Sequence, residues 1–393
     1  MNHDPLHFID DELAARDAAG LRRALRTVSP GATPWIERDG KRLLHLCSNN
    51  YLGLATHPRV LAAAQFGLAT HGAGAGAARL ISGNLAVHEQ LESALAALKH
   101  QAAALVFPTG YAANLGAITA LAGPRDRILA DELNHASLND GCRLSGARVR
   151  HYRHGDVAHL RELAQLDAPR GRTLIVTDGV FSMDGDTAPL RELADAADEL
   201  GALLVVDDAH GTGVLGATGS GTAEALGVVD RVHVHIGTLS KALGGQGGFV
   251  AGSRKLIDWL LQTARPYIFT TALAPASAAA ATEAVRLIAD EAWRRERVLA
   301  VAQRVRDELT ALGFALRPAP LATPIIAVQI GDAHAAVQLS QALEQRGLLV
   351  PAVRPPTVPV GTSRLRVTLM ADHTDDDVAL ALRAFASEAG PNS

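Results

Sequence analysis

Short apolar runs rich in Val, Ile and Leu alternate with longer helical stretches between residues 101 and 265. Within these runs apolar and polar positions do not alternate, as expected of strands that are buried on both faces. A helix candidate at residues 189–200 opens with a proline, where helices tolerate one. The alternation predicts an α/β fold with a mostly parallel central sheet and helices on both faces. The clearest strand candidates are residues 104–107, 127–130, 173–177, 202–207 and 232–236.

The N-terminal segment and one charge-free stretch have patterns of their own. Residues 10–26 predict an exposed helix with Leu13, Leu21 and Leu25 on one side, and residues 35–47 predict a hairpin. Residues 102–123 contain no charged side chain and are long enough to span a bilayer. A Pro-Thr-Gly sequence breaks this stretch in the middle, so we expect a buried strand, a turn and a buried helix rather than a membrane segment.

The C-terminal part changes to a different order of elements. Residues 274–312 predict a long alanine-rich helix. Strands near residues 325–328 and 365–369 flank a helix at 335–345, an α+β arrangement that suits a smaller domain. We therefore predict an N-terminal helix and hairpin, a large α/β domain and a small C-terminal α+β domain, at residues 1–50, 51–285 and 286–393.

Composition narrows the class of protein further. The 393 residues, 48% of them hydrophobic, can bury a large core, and the length suggests roughly two to three domains. The formal net charge is -4 and no basic block occurs, so neither nucleic acid nor an anionic membrane surface is an expected partner. Cys47 and Cys142 lie far apart without metal-ligand spacing. Together with an N-terminus that lacks signal-peptide features, they favour a reduced, cytoplasmic setting.

The most informative chemistry lies in residues 237–248, Gly-Thr-Leu-Ser-Lys-Ala-Leu-Gly-Gly-Gln-Gly-Gly. Lys241 follows a predicted buried strand and reaches the carboxyl edge of the sheet, where open α/β folds bind ligands. Burial lowers the pKa of an ammonium group and exposes the neutral amine that forms an imine. For the lysine taken alone, a flexible surface turn is an equally good alternative.

A second motif places Asp207 and Asp208 at the end of an apolar strand, followed by His210. Two acids there are costly unless a cation pairs with them. A protonated pyridine nitrogen is such a cation, and its charge makes the ring an electron sink. We assign Asp207 to that nitrogen and His210 to the phenolic oxygen of the same ring. The alternatives are a structural acid pair and a metal, and no matched set of further ligands supports the metal.

Two glycine-containing turns make different predictions about phosphate. Residues 211–216 match the dinucleotide fingerprint, but loop composition follows them instead of a helix, which argues against a nucleotide-dependent oxidoreductase. Residues 107–114 leave a strand and enter a helix, so backbone N–H groups and the helix dipole face one spot. Gly110 and Tyr111 would donate to a phosphate there, and Thr238 would add a hydroxyl.

Two further polar side chains follow predicted strands and therefore point to the same edge as Lys241. His135 can stack flat on an aromatic cofactor, although a lone histidine is more often structural. Ser182 lies in the segment 178–186, and it is a weaker indication because a turn hydroxyl has many uses.

Four motifs in this order together resemble the α-oxoamine synthases. They are residues 48–54 (Ser-Asn-Asn-Tyr-Leu-Gly-Leu), 182–186 (Ser-Met-Asp-Gly-Asp), 207–213 (Asp-Asp-Ala-His-Gly-Thr-Gly) and 238–245 (Thr-Leu-Ser-Lys-Ala-Leu-Gly-Gly). The resemblance covers nearly the whole chain. It implies a fold-type-I pyridoxal 5'-phosphate enzyme, an acyltransferase that condenses an amino acid with an acyl thioester and releases carbon dioxide.

One segment distinguishes groups within that family. Residues 354–366, which begin Arg-Pro-Pro-Thr, are similar to the members that join L-alanine to a pimeloyl thioester in biotin biosynthesis. Relatives that join glycine to an acetyl or succinyl thioester usually lack that form, and they remain the main alternative. The resemblance thus implies L-alanine and pimeloyl-CoA or a pimeloyl-carrier protein as substrates, and a homodimer with active sites at the subunit interface.

The resemblance also implies roles for individual residues. Lys241 would carry the cofactor and take the α-proton, His135 would cover the cofactor ring, and Asp207 would keep its nitrogen protonated. A non-catalytic partner subunit on the same fold would be expected to lose Lys241. The other implied cofactor contacts are Gly110, Tyr111, Ser182, His210 and Thr238.

The implied substrate contacts are arginines and uncharged polar residues, and His135 is among them. Arg366, with Arg354, would bind the alanine carboxylate through a bidentate pair. Arg364 could also reach an anion. Asn50 stands where many members have aspartate, which leaves its contact open. The substrate contacts carried over are Arg22, Asn50, His135, Arg354, Thr357 and Arg366.

Overall fold

Fourteen helices and thirteen strands make up the part of the chain that the computed structural model describes, residues 5–18, 21–166 and 170–389. The strands are β1 (Trp35–Arg38), β2 (Lys41–His45), β3 (Ala103–Phe107), β4 (Arg127–Asp131), β5 (Arg148–Tyr152), β6 (Thr173–Asp178), β7 (Leu203–Asp207), β8 (Val234–Thr238), β9 (Gly248–Gly252), β10 (Ile325–Gly331), β11 (Leu348–Leu349), β12 (Ala352–Val353) and β13 (Ser363–Thr368).

The helices are α1 (Phe8–Ala18), α2 (Pro58–His71), α3 (Ala86–Leu98), α4 (Gly110–Leu121), α5 (Ala136–Leu144), α6 (Val157–Gln165), α7 (Leu190–Leu200), α8 (Thr222–Ala225), α9 (Arg254–Thr263), α10 (Arg265–Ile268), α11 (Pro275–Asp290), α12 (Trp293–Ala311), α13 (Ala333–Gln345) and α14 (Asp375–Ala386). Short 3-10 turns lie at Leu54–Thr56 and Val229–Arg231, and a π-helical turn lies at Arg79–Gly83.

The central sheet has seven strands in the order β3-β9-β8-β7-β6-β4-β5. Strands β5, β4, β6, β7 and β8 pair in parallel, and β9 is antiparallel to both of its neighbours. The predicted mostly parallel α/β sheet is confirmed. Parallel strands end at the same edge, so the residues that follow them meet there.

Helices cover both faces of this sheet, which explains why its strands lack an apolar–polar alternation. Successive side chains of β4 point to opposite faces. Ile128 packs in one core cluster with Ile118 of α4. The next residue, Leu129, packs in another cluster with Leu160 of α6 and Leu193 of α7. Successive positions of the strand therefore face two different apolar cores, and both kinds of position carry apolar residues.

One of the two smaller sheets joins the N-terminal hairpin to a strand from the C-terminal part of the chain. The predicted hairpin of β1 and β2 is confirmed, and its turn has positive φ angles of 51° at Asp39 and 73° at Gly40, as an Asp-Gly hairpin turn requires. Strand β2 also pairs in parallel with β11, and β10, β13 and β12 form an antiparallel sheet. The division into segments 1–50, 51–285 and 286–393 stays a prediction.

Two predicted helices differ in extent from the observed ones. Helix α1 ends at Ala18, and residues 21–28 are not helical, so the prediction over 10–26 is wrong there (residues 19 and 20 lie outside the described part). Leu25 is fully exposed, so no apolar contact holds a helix at that point. The helix predicted over 274–312 is two helices, because Glu291 leaves helical geometry (φ −122°, ψ 54°). Helix α11 packs on α2 and α3, whereas α12 packs on α14.

The charge-free stretch of residues 102–123 forms β3, a turn and α4, as predicted. Within the described ranges, no helix has both the length and the apolar character needed to cross a bilayer. The helix predicted over residues 335–345 is also confirmed, as α13.

Candidate active site

Most of the predicted site residues lie at the carboxyl edge of the central sheet. Asp207 is the last residue of β7, Thr238 is the last of β8, and Asp178 is the last of β6. The strand register pairs Asp178 with Asp207, so these two acids are neighbours across the sheet. His135 follows β4 after a short turn, and Lys241 follows β8 by three residues. The sheet topology therefore brings residues that are distant in sequence into one cleft.

The amine of Lys241 begins a chain of hydrogen bonds that leads to a buried tyrosine. Lys241 Nζ lies 2.7 Å from His210 Nε2, and His210 Nδ1 lies 2.6 Å from the Tyr51 hydroxyl. That hydroxyl donates to Asn49 Oδ1 over 3.1 Å. Burial and the charge of Lys241 lower the pKa of His210 well below its ordinary value, so the neutral ring accepts from the lysine. Burial also lowers the pKa of Lys241, to about 8.

A second chain of hydrogen bonds joins Asp207 to His135. Asn114 Nδ2 donates to Asp207 Oδ2 over 2.6 Å and to Ser137 Oγ over 2.7 Å. Ser137 Oγ lies 2.7 Å from His135 Nδ1. Burial lowers the pKa of His135, although the negative charge of Asp207 opposes the shift. The His135 ring is therefore neutral, and its Nδ1 accepts the serine proton.

Asp178 supports the turn that carries His135. Its Oδ2 accepts from the His135 N–H over 2.7 Å, and its own N–H donates to Asn134 Oδ1 over 3.0 Å. Burial and the neighbouring Asp207 raise the pKa of Asp178 well above its ordinary value. A carboxyl group on the adjacent strand thus fixes the His135 backbone, while Ser137 orients its ring.

The N-terminus of α4 packs closely against the ends of β8 and β9. A Cβ added at Gly110 would lie 3.3 Å from the Thr238 side chain, and one added at Gly248 would lie 2.5 Å from the Gly110 Cα. Thr238 Oγ1 donates to Gly247 O over 2.9 Å and lies 2.7 Å from Ser240 Oγ. The first N–H groups of α4 have no partner within the helix. This corner therefore offers backbone donors and hydroxyls to one anion.

Arg366, on β13, reaches the same hydrogen-bond chain from the C-terminal part of the protein. Its Nε donates to the Ser182 carbonyl over 2.5 Å, and its Nη2 donates to Asn49 Oδ1 over 3.3 Å and to the Tyr51 hydroxyl over 3.4 Å. The side chain is buried. Among the residues that the structure describes, none accepts a hydrogen bond from Nη1, so this nitrogen can serve a ligand.

Two of the other arginines are engaged by acids. Arg364 forms a buried ion pair with Asp184, so its charge is already neutralised. Arg22 is half exposed and pairs with Asp17 over 2.8 Å. A substrate role for Arg22 stays a prediction.

A cavity of about 390 Å³ lies beside Arg366. Three predicted substrate residues, Arg354, Thr357 and Arg366 itself, line it, together with Arg23. The remaining lining side chains are apolar and include Leu21 and Met183. The cavity therefore combines an apolar wall with three guanidinium groups.

Asn50 and Tyr111 use their side chains elsewhere. The Asn50 amide donates to Ala32 O over 2.9 Å and accepts from the Ala55 N–H over 3.1 Å. The Tyr111 ring is half exposed, and its hydroxyl donates to Asp140 over 2.5 Å. A substrate contact of Asn50 and a cofactor contact of Tyr111 stay predictions.

Comparison with known proteins assigns the chain and its fold to a class. The family model for class I and II aminotransferases matches residues 41–385, and the chain belongs to this family of fold-type-I pyridoxal-phosphate enzymes. A solved structure of serine palmitoyltransferase from S. paucimobilis with bound PLP superposes with a TM-score of 0.93, at 34% identity over 98% of both chains.

Within that class the relatives agree on one narrower family. The chain is 52% identical to 8-amino-7-oxononanoate synthase of Pseudomonas putida over 375 residues, 95% of each protein. It is 53% identical to the synthase of Alkalilimnicola ehrlichii over 373 residues, 94% of this chain and 95% of that protein. The solved 8-amino-7-oxononanoate synthase of Francisella tularensis has a TM-score of 0.77 at 28% identity and covers 88% of this chain and 97% of that one. The chain is a member of the 8-amino-7-oxononanoate synthase family.

The residues present fit the pyridoxal phosphate that this class uses. Asp207 is buried, and in the described ranges its contacts are the Asn114 amide and the Ala209 N–H rather than a cation. A buried carboxylate of this kind is stabilised by a protonated ring nitrogen. The corner at Gly110 and Thr238 fits the phosphate group. Lys241, with its lowered pKa, supplies the amine that would bind the aldehyde.

Sequence reasoning assigned no role to two residues that the structure places in the site. Tyr51 and Asn114 are each central to one of the hydrogen-bond chains. Tyr51 directly follows two asparagines, in the motif of residues 48–54. Asn114 lies in the helix predicted within the charge-free stretch. For Asn114, a polar side chain within an apolar helix is the signal that could have identified it.

The lowered pKa of Lys241 predicts how cofactor uptake depends on pH. Only a neutral amine attacks an aldehyde, so the rate of recombination of apoenzyme with pyridoxal phosphate should rise up to about pH 8 and then level off. Below that pH it should fall about tenfold per unit. An absorbance time course at each pH measures the rate, with a simple alkylamine as reference. A rate that still rises towards pH 10.5, the ordinary pKa of lysine, would contradict the burial of this amine.

Proposed function

We propose that this chain catalyses the condensation of L-alanine with a pimeloyl thioester, which yields 8-amino-7-oxononanoate, carbon dioxide and a free thiol. The observation that carries the proposal is the link from Lys241 through His210 and Tyr51 to Arg366. It places an amine of lowered pKa and a guanidinium group in one cleft, as a reaction at the α-carbon of an amino acid requires. The names of the relatives supply the choice of L-alanine and the pimeloyl group.

Arg366 holds the substrate carboxylate in this proposal. A guanidinium group binds a carboxylate through two parallel hydrogen bonds, which fixes its direction as well as its position. The contacts to Ser182 and Tyr51 hold the Arg366 side chain in place before the substrate arrives. Arg354, which lines the adjacent cavity, is the second candidate for this carboxylate.

Pyridoxal phosphate, when bound, supplies an electron sink for the electron pair that remains on the α-carbon after a proton or carboxylate leaves. Asp207 would keep the ring nitrogen protonated, and His135 would cover the ring. The chain through Asn114 and Ser137 couples the positions of these two residues. Gly110, Tyr111 and Thr238 hold the phosphate, and Ser182 and His210 complete the contacts to the cofactor.

Lys241 also moves the proton. With cofactor and substrate bound, the Lys241 amine would be free to accept the α-proton, and a pKa of about 8 suits a general base near neutral pH. His210 accepts a hydrogen bond from this amine and limits its movement. The acyl donor releases its thiol and the amino acid releases carbon dioxide, so these two are the leaving groups of the condensation.

The acyl chain occupies the cavity beside Arg366. Its apolar wall suits the methylene chain of a pimeloyl group, and Thr357, Arg23 and Arg354 suit the polar ends. Arg22 remains a proposed substrate contact, and the acyl group arrives on coenzyme A or on a carrier protein. The proposed cytoplasmic location is consistent with two free cysteines.

The proposal includes a homodimer. Ile81, in the π-helical turn, is 81% exposed, and Phe269, directly after α10, is 69% exposed. This turn and α10 are in contact. Large apolar side chains that share an exposed surface are typical of a contact with another protein. A second copy of the chain would cover them.

Free-thiol release with a matrix of substrates tests this function. The holoenzyme is offered pimeloyl-CoA, acetyl-CoA or palmitoyl-CoA, each with L-alanine, glycine or L-serine. We expect thiol chiefly from pimeloyl-CoA with L-alanine, because the Arg354–Thr357 segment and the relatives both favour that pair. Release chiefly from acetyl-CoA with glycine, or from palmitoyl-CoA with L-serine, would transfer the chain to a sister activity on the same fold and contradict the proposal.

A further inference from the structure

A histidine that the mechanism does not use joins two turns of the active site. His154 Nδ1 lies 3.0 Å from Asp131 Oδ1, and His154 Nε2 lies 2.8 Å from Asp186 Oδ2. We call Asp131, His154 and Asp186 the His154 bridge. The Asp131 carboxylate is buried, and His154 and Asp186 are each largely buried (15% and 13% exposed side chains). No cofactor or substrate role proposed above involves any of the three.

Asp131 organises the end of β4. Its carboxylate accepts from the Leu133 N–H over 2.9 Å and from the Gly155 N–H over 2.9 Å. Its own carbonyl accepts from the Asn134 N–H over 3.2 Å. These contacts shape the turn that leads directly to His135. One end of the His154 bridge is therefore fixed to the strand that positions the cofactor-covering histidine.

Asp186 closes a tight turn that carries Ser182. The Phe181 N–H donates to Asp186 O over 2.9 Å, and the Gly185 N–H donates to Phe181 O over 2.8 Å. The His154 ring packs edge-on against the Phe181 ring, with 4.4 Å between centroids. The other end of the bridge thus holds the 181–186 turn through both a hydrogen bond and a ring contact.

This turn presents the Ser182 carbonyl to Arg366. The carbonyl accepts from Arg366 Nε over 2.5 Å, the shortest contact of that guanidinium group. A shift of the turn would therefore rotate or displace Arg366 before a substrate binds. The link runs from the His154 bridge through the backbone of residues 181–182 to the carboxylate-binding side chain.

The His154 bridge is stable only when the His154 ring is a positively charged imidazolium ion. Each ring nitrogen faces a carboxylate, so each must carry a proton to donate. Burial opposes this charge, but the hydrogen bonds to Asp131 and Asp186 outweigh it and raise the pKa of His154 to about 10. Without the cation, two carboxylates would face each other in a largely buried site, and the 181–186 turn would move away.

We propose that His154 is a positioning residue that sets Arg366 for the carboxylate of the amino-acid substrate. The inference rests on the proposed function, because it takes L-alanine as the ligand of Arg366. It predicts a selective defect, since among amino-acid ligands only those with a carboxylate depend on the position of Arg366. A loss of overall stability would weaken every ligand alike.

The test compares L-alanine with L-alaninamide, which keeps the amine and lacks the carboxylate. Spectral titration of the His154→Gln holoenzyme should show L-alanine bound about tenfold or more weaker than in wild type, the effect of a misplaced hydrogen bond to a charged group. Binding of L-alaninamide should be nearly unchanged. The KM for L-alanine should rise similarly, with kcat and the KM for the thioester little altered. His151→Gln, an exposed histidine on β5, is the matched control and should match wild type.

Asp186→Asn is the second variant and keeps the contact of His154 to Asp131. We expect the same selectivity with a smaller loss, and it provides the test should His154→Gln fail to fold. Equal weakening of L-alanine and L-alaninamide, or no weakening of either, would overturn the role of His154. If wild-type holoenzyme itself neither binds L-alanine nor releases thiol with it, the proposed function fails instead, so the two failures are distinguishable.

Discussion

Replacement of Lys241 by alanine should lower turnover by more than about 10⁴-fold, because the same side chain holds the cofactor and moves the α-proton. The fold should persist, since the Lys241 amine makes its hydrogen bond to the neutral His210 ring rather than to a carboxylate. Thiol release from pimeloyl-CoA with L-alanine, at saturating cofactor, measures the effect. Cofactor should still bind through the corner at Gly110 and Thr238, but without covalent attachment.

Lys255→Ala is the matched control for this variant. Lys255 is exposed on α9 and belongs neither to the two hydrogen-bond chains nor to the phosphate corner. Its replacement should leave turnover within a factor of about two. Near-normal turnover of the Lys241→Ala enzyme would remove the basis of the whole mechanism, whereas equal losses in both variants would indicate damage to the fold.

Replacement of Asp207 by asparagine should lower kcat by about 10²-fold to 10⁴-fold. Asparagine has the same shape, so the contact to Asn114 can be remade, but it cannot keep a ring nitrogen protonated. The electron sink would be lost while the fold stays. Turnover should fall, and the absorbance of the bound cofactor should change, because the ring loses its proton. An Asp207→Asn enzyme with wild-type turnover would contradict the assignment.

Asp208→Asn is the contrasting variant at the next position. Asp208 forms a buried ion pair with Lys99 over 2.8 Å and accepts from Thr222 Oγ1 over 2.6 Å. Loss of the carboxylate leaves the Lys99 charge buried without a partner, which costs about 3–5 kcal/mol of unfolding free energy. Urea denaturation should therefore distinguish the two variants. Asp208→Asn should lower the free energy of unfolding, whereas Asp207→Asn should lower turnover and leave the free energy of unfolding nearly unchanged.

The sequence predicts the central sheet well because burial on both faces produces a local signal. The centre of β6, residues 174–176, is apolar on both faces, and the turn after the strand contains glycine and polar residues. Since parallel strands end at one edge, the positions of Asp207, His135 and Lys241 follow from the chain order of the strands. That part of the site needs no knowledge of distant contacts.

The partners of these residues depend on contacts that no local pattern encodes. Tyr51 and His210 are 159 positions apart, and Asn114 and Asp207 are 93 apart. The role of Lys99 as the partner of Asp208, 109 positions away, was likewise invisible in the sequence. Such pairs become visible only when the sheet order and the helix packing are known.

The two arginines of β13 show the same limit. Arg364 and Arg366 are two residues apart on one strand, so their side chains point to the same face and the pattern cannot distinguish them. The structure distinguishes them through their partners, since Asp184 neutralises Arg364 while the Ser182 carbonyl merely orients Arg366.

The ends of helices are also hard to predict from the sequence. The break at Glu291 follows from the different packing of α11 and α12.

The attachment of the cofactor to Lys241 is the claim on which the account depends, and the chain has only Lys41, Lys99, Lys241 and Lys255 as candidates. Borohydride reduction of the holoenzyme fixes the cofactor on its lysine, and peptide mass mapping then locates the phosphopyridoxyl group. We predict the group on Lys241 alone, in stoichiometric amount. Stoichiometric label on another lysine, or a Lys241 peptide of unmodified mass, would contradict the account.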